Sequence, residues 1–335
     1  MKRALPLLRR IVFWSLPVVI LGLIFQKIDV VQLQQSFAQA NGWLVAAGLA
    51  YYPLVVGIGA LRWRTLLGCF ARRRVEWGFA LRHYWIGLAL GMFGPASIGW
   101  DVYRIAAGGR RYNAYRAGAA AILTEKLLAL LTSALLVVLL YPLLAFRDPG
   151  AGRMIFLSAG VLLATAGAGL WMLQPAGRWV DRLVAFYLKD KLDANPAPSI
   201  SAAADDRRRT STRPLTMAFL LSLLNLLMAA IGNQIFFRAV HCPLPFAVNL
   251  FVLPVLYFIF LLPISFGSLG IREGAYILLY GLFGVPAETA LVVSFFNLLG
   301  VLLNNLIGAL LAPETLAGAA KQMNSPGLAK ENPPA

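Results

Sequence analysis

Long apolar runs separated by short polar breaks dominate this chain, and their lengths predict helices that cross a bilayer. A spanning helix needs about 20 largely apolar residues to cover a hydrocarbon core of about 30 Å. Six runs predict spans at 11–25, 43–61, 127–145, 154–173, 215–237 and 287–312. The first is short, but Arg9, Arg10 and Lys27 can extend their charged ends to the two interfaces and Trp14 suits headgroup depth. Two more runs are interrupted. Residues 78–99 contain Arg82, His83 and Gly94-Pro95, and residues 246–285 are broken between Pro263 and Glu273. Each predicts a broken helical hairpin that enters and leaves on one side.

The expected class is therefore an all-α polytopic membrane protein with about six full spans and two re-entrant hairpins. Composition agrees: 59% of the 335 residues are hydrophobic, 13% are charged and the mean hydropathy is +0.72. Basic residues fix the expected orientation, because short cytoplasmic loops carry the excess of Lys and Arg. With a cytoplasmic amino terminus, the six-span scheme places most of the 30 basic residues inside, in loops taken to begin at Arg62 and Arg104 and in 174–213. Nine spans would scatter them evenly. Both termini are thus expected in the cytoplasm, and the membrane is expected to be a bacterial-type inner membrane. The organisation expected is a first membrane half at 1–173, a cytoplasmic linker at 174–213, a second half at 214–312 and a disordered tail at 313–335. Within the linker, GRWVDRLVAFYLK has apolar residues at helical spacing, as in a helix lying on the lipid surface. The basic amino terminus and Ala38-Gln39-Ala40 imitate a signal peptide, but the small residues lie too far past the apolar run, which reads as a retained anchor.

Catalytic patterns are missing. His83, His241, Cys69 and Cys242 have no metal-ligand spacing, and the sequence lacks HExxH, GxSxG, Walker and dinucleotide-binding patterns. No catalytic residue, metal or cofactor is expected, and an enzyme is the less favoured reading. What remains is a set of ionisable groups at membrane depth, where charge is costly and marks candidate function. They are Asp101 with Arg104, Glu125 with Lys126, and Arg272 with Glu273. Each group holds both signs, so mutual neutralisation near helix ends is the competing structural role.

The two breaks resemble one another. Pro95, Ser97 and Gly99 recur as Pro263, Ser265 and Gly267, each followed by a charged pair, with one copy before the linker and one after it. In the six-span scheme they approach the midplane from opposite faces, as candidate inverted repeats of a transporter do. Glycines such as Gly99, Gly267 and Gly270 let backbone N–H groups approach a ligand, and Arg104 and Arg272 supply forked donors suited to phosphate.

These segments carry a resemblance. Pro95-Ala96-Ser97-Ile98-Gly99-Trp100-Asp101-Val102-Tyr103-Arg104 and Pro263-Ile264-Ser265-Phe266-Gly267-Ser268-Leu269-Gly270-Ile271-Arg272-Glu273 are similar to two segments of the lysylphosphatidylglycerol synthase family's flippase-like transmembrane domain. Thr124-Glu125-Lys126 stands where that family has an acidic residue followed by Arg. Trp100 and Ser268 replace family glycines and Lys126 replaces Arg, so substrate identity does not carry over. The resemblance implies the translocating part without the soluble aminoacyl-transferase domain. The expected activity is movement of an anionic or modified phospholipid, or of a polyprenyl-linked lipid, across the inner membrane. Alternatives are a membrane-embedded transferase or accessory subunit of a lipid or glycolipid pathway, and a structural or partner-binding protein. Expected partners are membrane lipids with anionic headgroups and, as a candidate, a lipid-modifying enzyme; no nucleic acid is expected.

Overall fold

The computed structural model describes residues 22, 26, 28–92, 98–145, 160, 212–261 and 270–324. Among them all regular structure is helical: α1 (Val30–Ala38), α2 (Gly42–Ala71), α3 (Trp77–Gly91), α4 (Ile98–Tyr112), α5 (Tyr115–Ala145), α6 (Thr212–Ala239), α7 (Phe246–Leu261), α8 (Ile271–Gly281) and α9 (Ala287–Asn324). Four of them, α2, α5, α6 and α9, are long and apolar enough to cross a membrane. They correspond to four of the six expected spans. The expected spans at 11–25 and 154–173, the linker up to residue 211 and the tail beyond residue 324 lie outside the described residues. Helix α9 continues past the expected start of the tail, with Pro313 inside it.

Helices α2 and α6 form the central antiparallel pair. The Asn41 N–H donates to the Ala239 carbonyl at 2.8 Å, Asn225 Nδ2 to the Val55 carbonyl at 2.9 Å, and Arg62 Nη1 to Ser222 Oγ at 3.2 Å. Gly48 admits the ring of Phe236, which a Cβ there would strike at 2.4 Å. Helix α2 begins on an Asn41 cap and ends at Arg72 in the left-handed region. It runs well beyond the expected end at residue 61. The reason is in its last turns, where Trp63, Leu66 and Leu67 bury on the core face and compensate for the arginines between them. Arg62 and Arg104, expected in loops, are 5% and 2% exposed.

Each broken region is an antiparallel hairpin. In the first, the Glu76 N–H donates to Tyr112 Oη at the base, His83 Nδ1 and Tyr103 Oη lie 2.8 Å apart midway, and Gly91 packs on Trp100 at the tip. In the second, the rings of Phe251 and Phe283 meet near the base, Tyr280 Oη donates to Asn249 Oδ1 at 2.8 Å, and Arg272 lies over Phe260 at the tip. The arms have 15, 15, 16 and 11 residues. At 1.5 Å per residue each is at most roughly 24 Å long, short of a bilayer core. Trp77 follows the carboxyl end of α2, whereas Phe246 follows the carboxyl end of α6, which sits beside the amino end of α2. The hairpins therefore enter the α2/α6 pair from opposite ends.

Candidate functional site

Both tips line one cavity of about 350 Å³. Leu88 and Trp100 come from the first hairpin, Phe260, Arg272 and Tyr276 from the second, and Tyr52, Arg62, Ser133 and Asn225 from the spanning helices. Pro95, Ser97, Pro263, Ser265 and Gly267 lie outside the described residues.

Around the first hairpin, two of the three charged groups, Asp101 with Arg104 and Glu125 with Lys126, join one network. Glu125 is 3% exposed; its Oε1 accepts from Arg62 Nη2 at 2.8 Å and its Oε2 from Arg104 Nη1 at 2.9 Å. Arg104 also donates to Asp101 Oδ1 at 3.0 Å, and Lys126 Nζ lies 2.8 Å from Asp101 Oδ2. Spacing explains the geometry. Asp101 and Arg104 are i, i+3 neighbours on α4, while Glu125 and Lys126, adjacent on α5, point one to each side and reach different partners. The five side chains carry three positive and two negative charges. Adjacent Glu125 and Lys126 are not partners of one another, so pairing within that group is corrected by the longer-range contacts.

Arg104 is also held by rings. Its guanidinium carbon lies 4.3 Å from the Trp100 ring centre, 5.0 Å from Tyr84 and 5.6 Å from Trp63. Trp100 fits because α3 offers a slot of two glycines one turn apart: a Cβ would meet Trp100 at 2.5 Å from Gly87 and 2.9 Å from Gly91. Gly99 belongs to the same close approach, since a Cβ there would sit 3.0 Å from the Leu90 carbonyl oxygen. Its smallness serves contact between the hairpin arms.

The second hairpin is built on neutral groups. Asn233 Nδ2 donates to Asn249 Oδ1 at 2.8 Å, and Asn297 Nδ2 to Asn233 Oδ1 at 2.8 Å. Tyr52 Oη donates to Asn297 Oδ1 at 3.0 Å, Tyr276 Oη to Asn233 Oδ1 at 3.3 Å, and Asn249 Nδ2 to Gln234 Oε1. At the start of α8, Gly270 has φ 76° and ψ −49°, and its N–H donates to Glu273 Oε2 at 2.6 Å. Glu273 thus caps its own helix, satisfying an orphan donor. It is not the counter-ion of Arg272, so the competing role of mutual neutralisation does not hold for these two residues. Arg272 faces the cavity with its carbon 5.7 Å from the Phe260 ring centre, and its Nη1 is buried with no hydrogen-bond partner.

The model of the lysylphosphatidylglycerol synthase TM region matches residues 7–308 of the 335. The chain belongs to that family. No curated protein and no solved structure matches it. Membership in the lysylphosphatidylglycerol synthase transmembrane family, with four helices of spanning length, makes this an integral membrane protein linked to lipid biosynthesis or flipping. Within this family member, the site residues that sequence reasoning missed are Arg62 and the amide and tyrosine cluster of Tyr52, Asn233, Asn249, Asn297, Tyr276 and Tyr280. A signal existed for both. Arg62 is followed by three more turns of apolar residues at helical spacing, and asparagines inside apolar runs are costly unless they find partners.

Proposed function

We propose that the protein translocates a phosphate-bearing lipid, an anionic or modified phospholipid or a polyprenyl-linked lipid, across a bacterial-type inner membrane. The headgroup occupies the cavity between the hairpin tips while the acyl or prenyl chains stay in lipid. One observation carries the reading: Arg272, at the end of a broken helix, faces the cavity with a buried guanidinium nitrogen that has no partner. A buried unpaired donor on a charged group is expensive, and an anionic oxygen is the partner that relieves the cost. The opposed hairpins support movement as well as binding, because a site walled by elements entering from both ends can open to either side by rocking one hairpin. A lipid-modifying enzyme in the same membrane is the partner this reading calls for, as the source or consumer of the lipid.

The test is a reconstituted flipping assay with fluorescent phosphatidylglycerol in vesicles and a membrane-impermeant quencher. Wild-type protein should expose the inner-leaflet probe. Arg272→Gln should abolish this and Arg272→Lys should impair it, because an ammonium lacks the guanidinium fork. Glu76→Gln, at the exposed hairpin base, should match wild type. Equal rates for wild type and Arg272→Gln would sink the proposal.

A further inference from the structure

Resting on the transport reading, we infer that the cavity selects a net-anionic headgroup in which a phosphate is joined to hydroxyl groups, and that it rejects aminoacylated headgroups. A cationic group entering a dry site needs a carboxylate or an open aromatic face. The cavity lining holds Arg62 and Arg272 and no carboxylate among the described residues. The carboxylates nearest the site are engaged: Glu125 by two arginines, Asp101 by Arg104 and Lys126, and Glu273 by the Gly270 N–H. Glu273 Oε1 is buried without a partner, but Glu273 does not line the cavity.

Part of the aromatic route is also taken. Tyr84 and Trp100, which line the cavity, already hold the Arg104 guanidinium, and Phe260 holds that of Arg272. The remaining tyrosines of the lining, Tyr51, Tyr52, Tyr257 and Tyr276, hold no guanidinium among the described residues but share the cavity with Arg62 and Arg272. A ligand ammonium would have to displace a guanidinium or lie beside one, and like charges side by side are strongly disfavoured.

Hydroxyls and amides make up the rest of the polar wall. Tyr51, Tyr52, Ser133, Asn225, Tyr276 and Asn297 all line it together with the two arginines. Tyr52 already donates to Asn297, Tyr276 to Asn233 and Asn225 to the Val55 carbonyl, so what they leave for a ligand is acceptor oxygen, which suits a glycerol or sugar hydroxyl better than a bare phosphate.

Binding and transport separate the two levels of the claim. Purified full-length protein in detergent is titrated with short-chain phosphatidylglycerol, phosphatidic acid, lysylated phosphatidylglycerol and inorganic phosphate, and bound ligand is counted by native mass spectrometry. Phosphatidylglycerol should bind at least about tenfold tighter than its lysylated form, given the unfavourable juxtaposition of like charges. It should also exceed phosphatidic acid and inorganic phosphate, and its advantage should vanish in Arg272→Gln. Lysylated lipid binding as tightly as phosphatidylglycerol overturns the inference, as does lysylated binding that Glu273→Gln removes. Phosphatidic acid or free phosphate binding equally well overturns the hydroxyl part, and no binding of any ligand overturns it whole. Selective binding of phosphatidylglycerol without flipping of any lipid leaves the selectivity standing and removes the transport reading.

Discussion

The two hairpins share a shape and differ in chemistry. Both are short antiparallel arms broken at a glycine-containing tip, and both reach the same cavity. The first is fastened by ions: Glu125 bridges Arg62 of α2 and Arg104 of α4, and Asp101 ties α4 to Lys126 of α5. The second is fastened by amides and tyrosines with no charge of their own, and its one cavity-facing cation is left without a carboxylate. A charge bound into a network is spoken for by structure, whereas a charge left open at a cavity is available to a ligand. Sequence position does not distinguish them, since both arginines follow a Pro-x-Ser-x-Gly break. Their partners do.

The sharpest way to break this comparison is to remove the bridging carboxylate. Glu125→Ala would leave two buried guanidinium groups without their shared acceptor, and breaking a buried pair in this way costs about 3–5 kcal/mol. The expected result is a large loss of stability in SDS-driven unfolding, with poor recovery from the membrane. Glu125→Gln, which keeps the shape and one acceptor oxygen, should fall between Ala and wild type. If Glu125→Ala unfolds like wild type while losing lipid binding, the first network is a ligand site and the contrast collapses.

A smaller effect is expected at the second tip. Gly270 has φ 76° with ψ −49°, a sparsely populated conformation that costs a residue with a Cβ about 1–3 kcal/mol. Gly270→Ala should therefore lower stability by about that much and tilt the start of α8, moving Arg272 off the cavity and weakening lipid binding. Gly281, around which the structure has open space, is the control and should accept alanine. Equal tolerance at both glycines would show that the tip geometry is not held by the turn.

The sequence made the architecture readable because membrane physics is simple there: run length separates spanning from broken helices, and four expected spans coincide with long helices. It also pointed to Asp101, Arg104, Glu125, Lys126 and Arg272, because ionised residues in apolar surroundings are conspicuous. Who meets whom was not readable. Neighbours in sequence looked like pairs, but a helix turns 100° per residue, so Glu125 reaches Arg104 and Arg62, Lys126 reaches Asp101, and Arg272 and Glu273 face a cavity and a helix cap. Arg62 escaped notice because apolar run length marks where hydrophobicity falls, not where a helix stops. The asparagine network escaped because amides carry no charge to draw attention.

Arg272 and Arg104 should also respond differently to loss of charge. Arg104→Gln leaves Glu125 and Asp101 short of a partner and should destabilise. Arg272→Gln removes a buried unpaired donor, worth about 1–3 kcal/mol of relief, against the loss of a cation–π contact of about 0.5–2 kcal/mol. The net change in unfolding free energy should be no more than about 1 kcal/mol, in either direction, while lipid binding is lost. A clear destabilisation by Arg272→Gln in ligand-free detergent would mean that the guanidinium is structural, and the two hairpins would differ less than their partners suggest.

The weakest effect is expected where the first hairpin leaves the protein interior. Arg111 Nη2 and Glu76 Oε1 lie 3.2 Å apart at its base, but their side chains are 54% and 66% exposed. In water the attraction is screened and holding two long side chains in register costs entropy, so such pairs contribute about 0–1 kcal/mol. The base has other fasteners: the Glu76 backbone N–H reaches Tyr112 Oη, and Phe79 meets the Tyr112 ring edge-on at 5.3 Å. Glu76→Gln should therefore shift unfolding by no more than about 0.5 kcal/mol, and raising salt should erase even that. The same salt step should leave the Glu125 network nearly untouched, because screening ions do not enter it. Comparing Glu76→Gln with Glu125→Gln across salt thus asks whether the first hairpin is held at its buried middle or at its exposed base. A salt-sensitive Glu125 variant would place that network in contact with water and reverse the assignment.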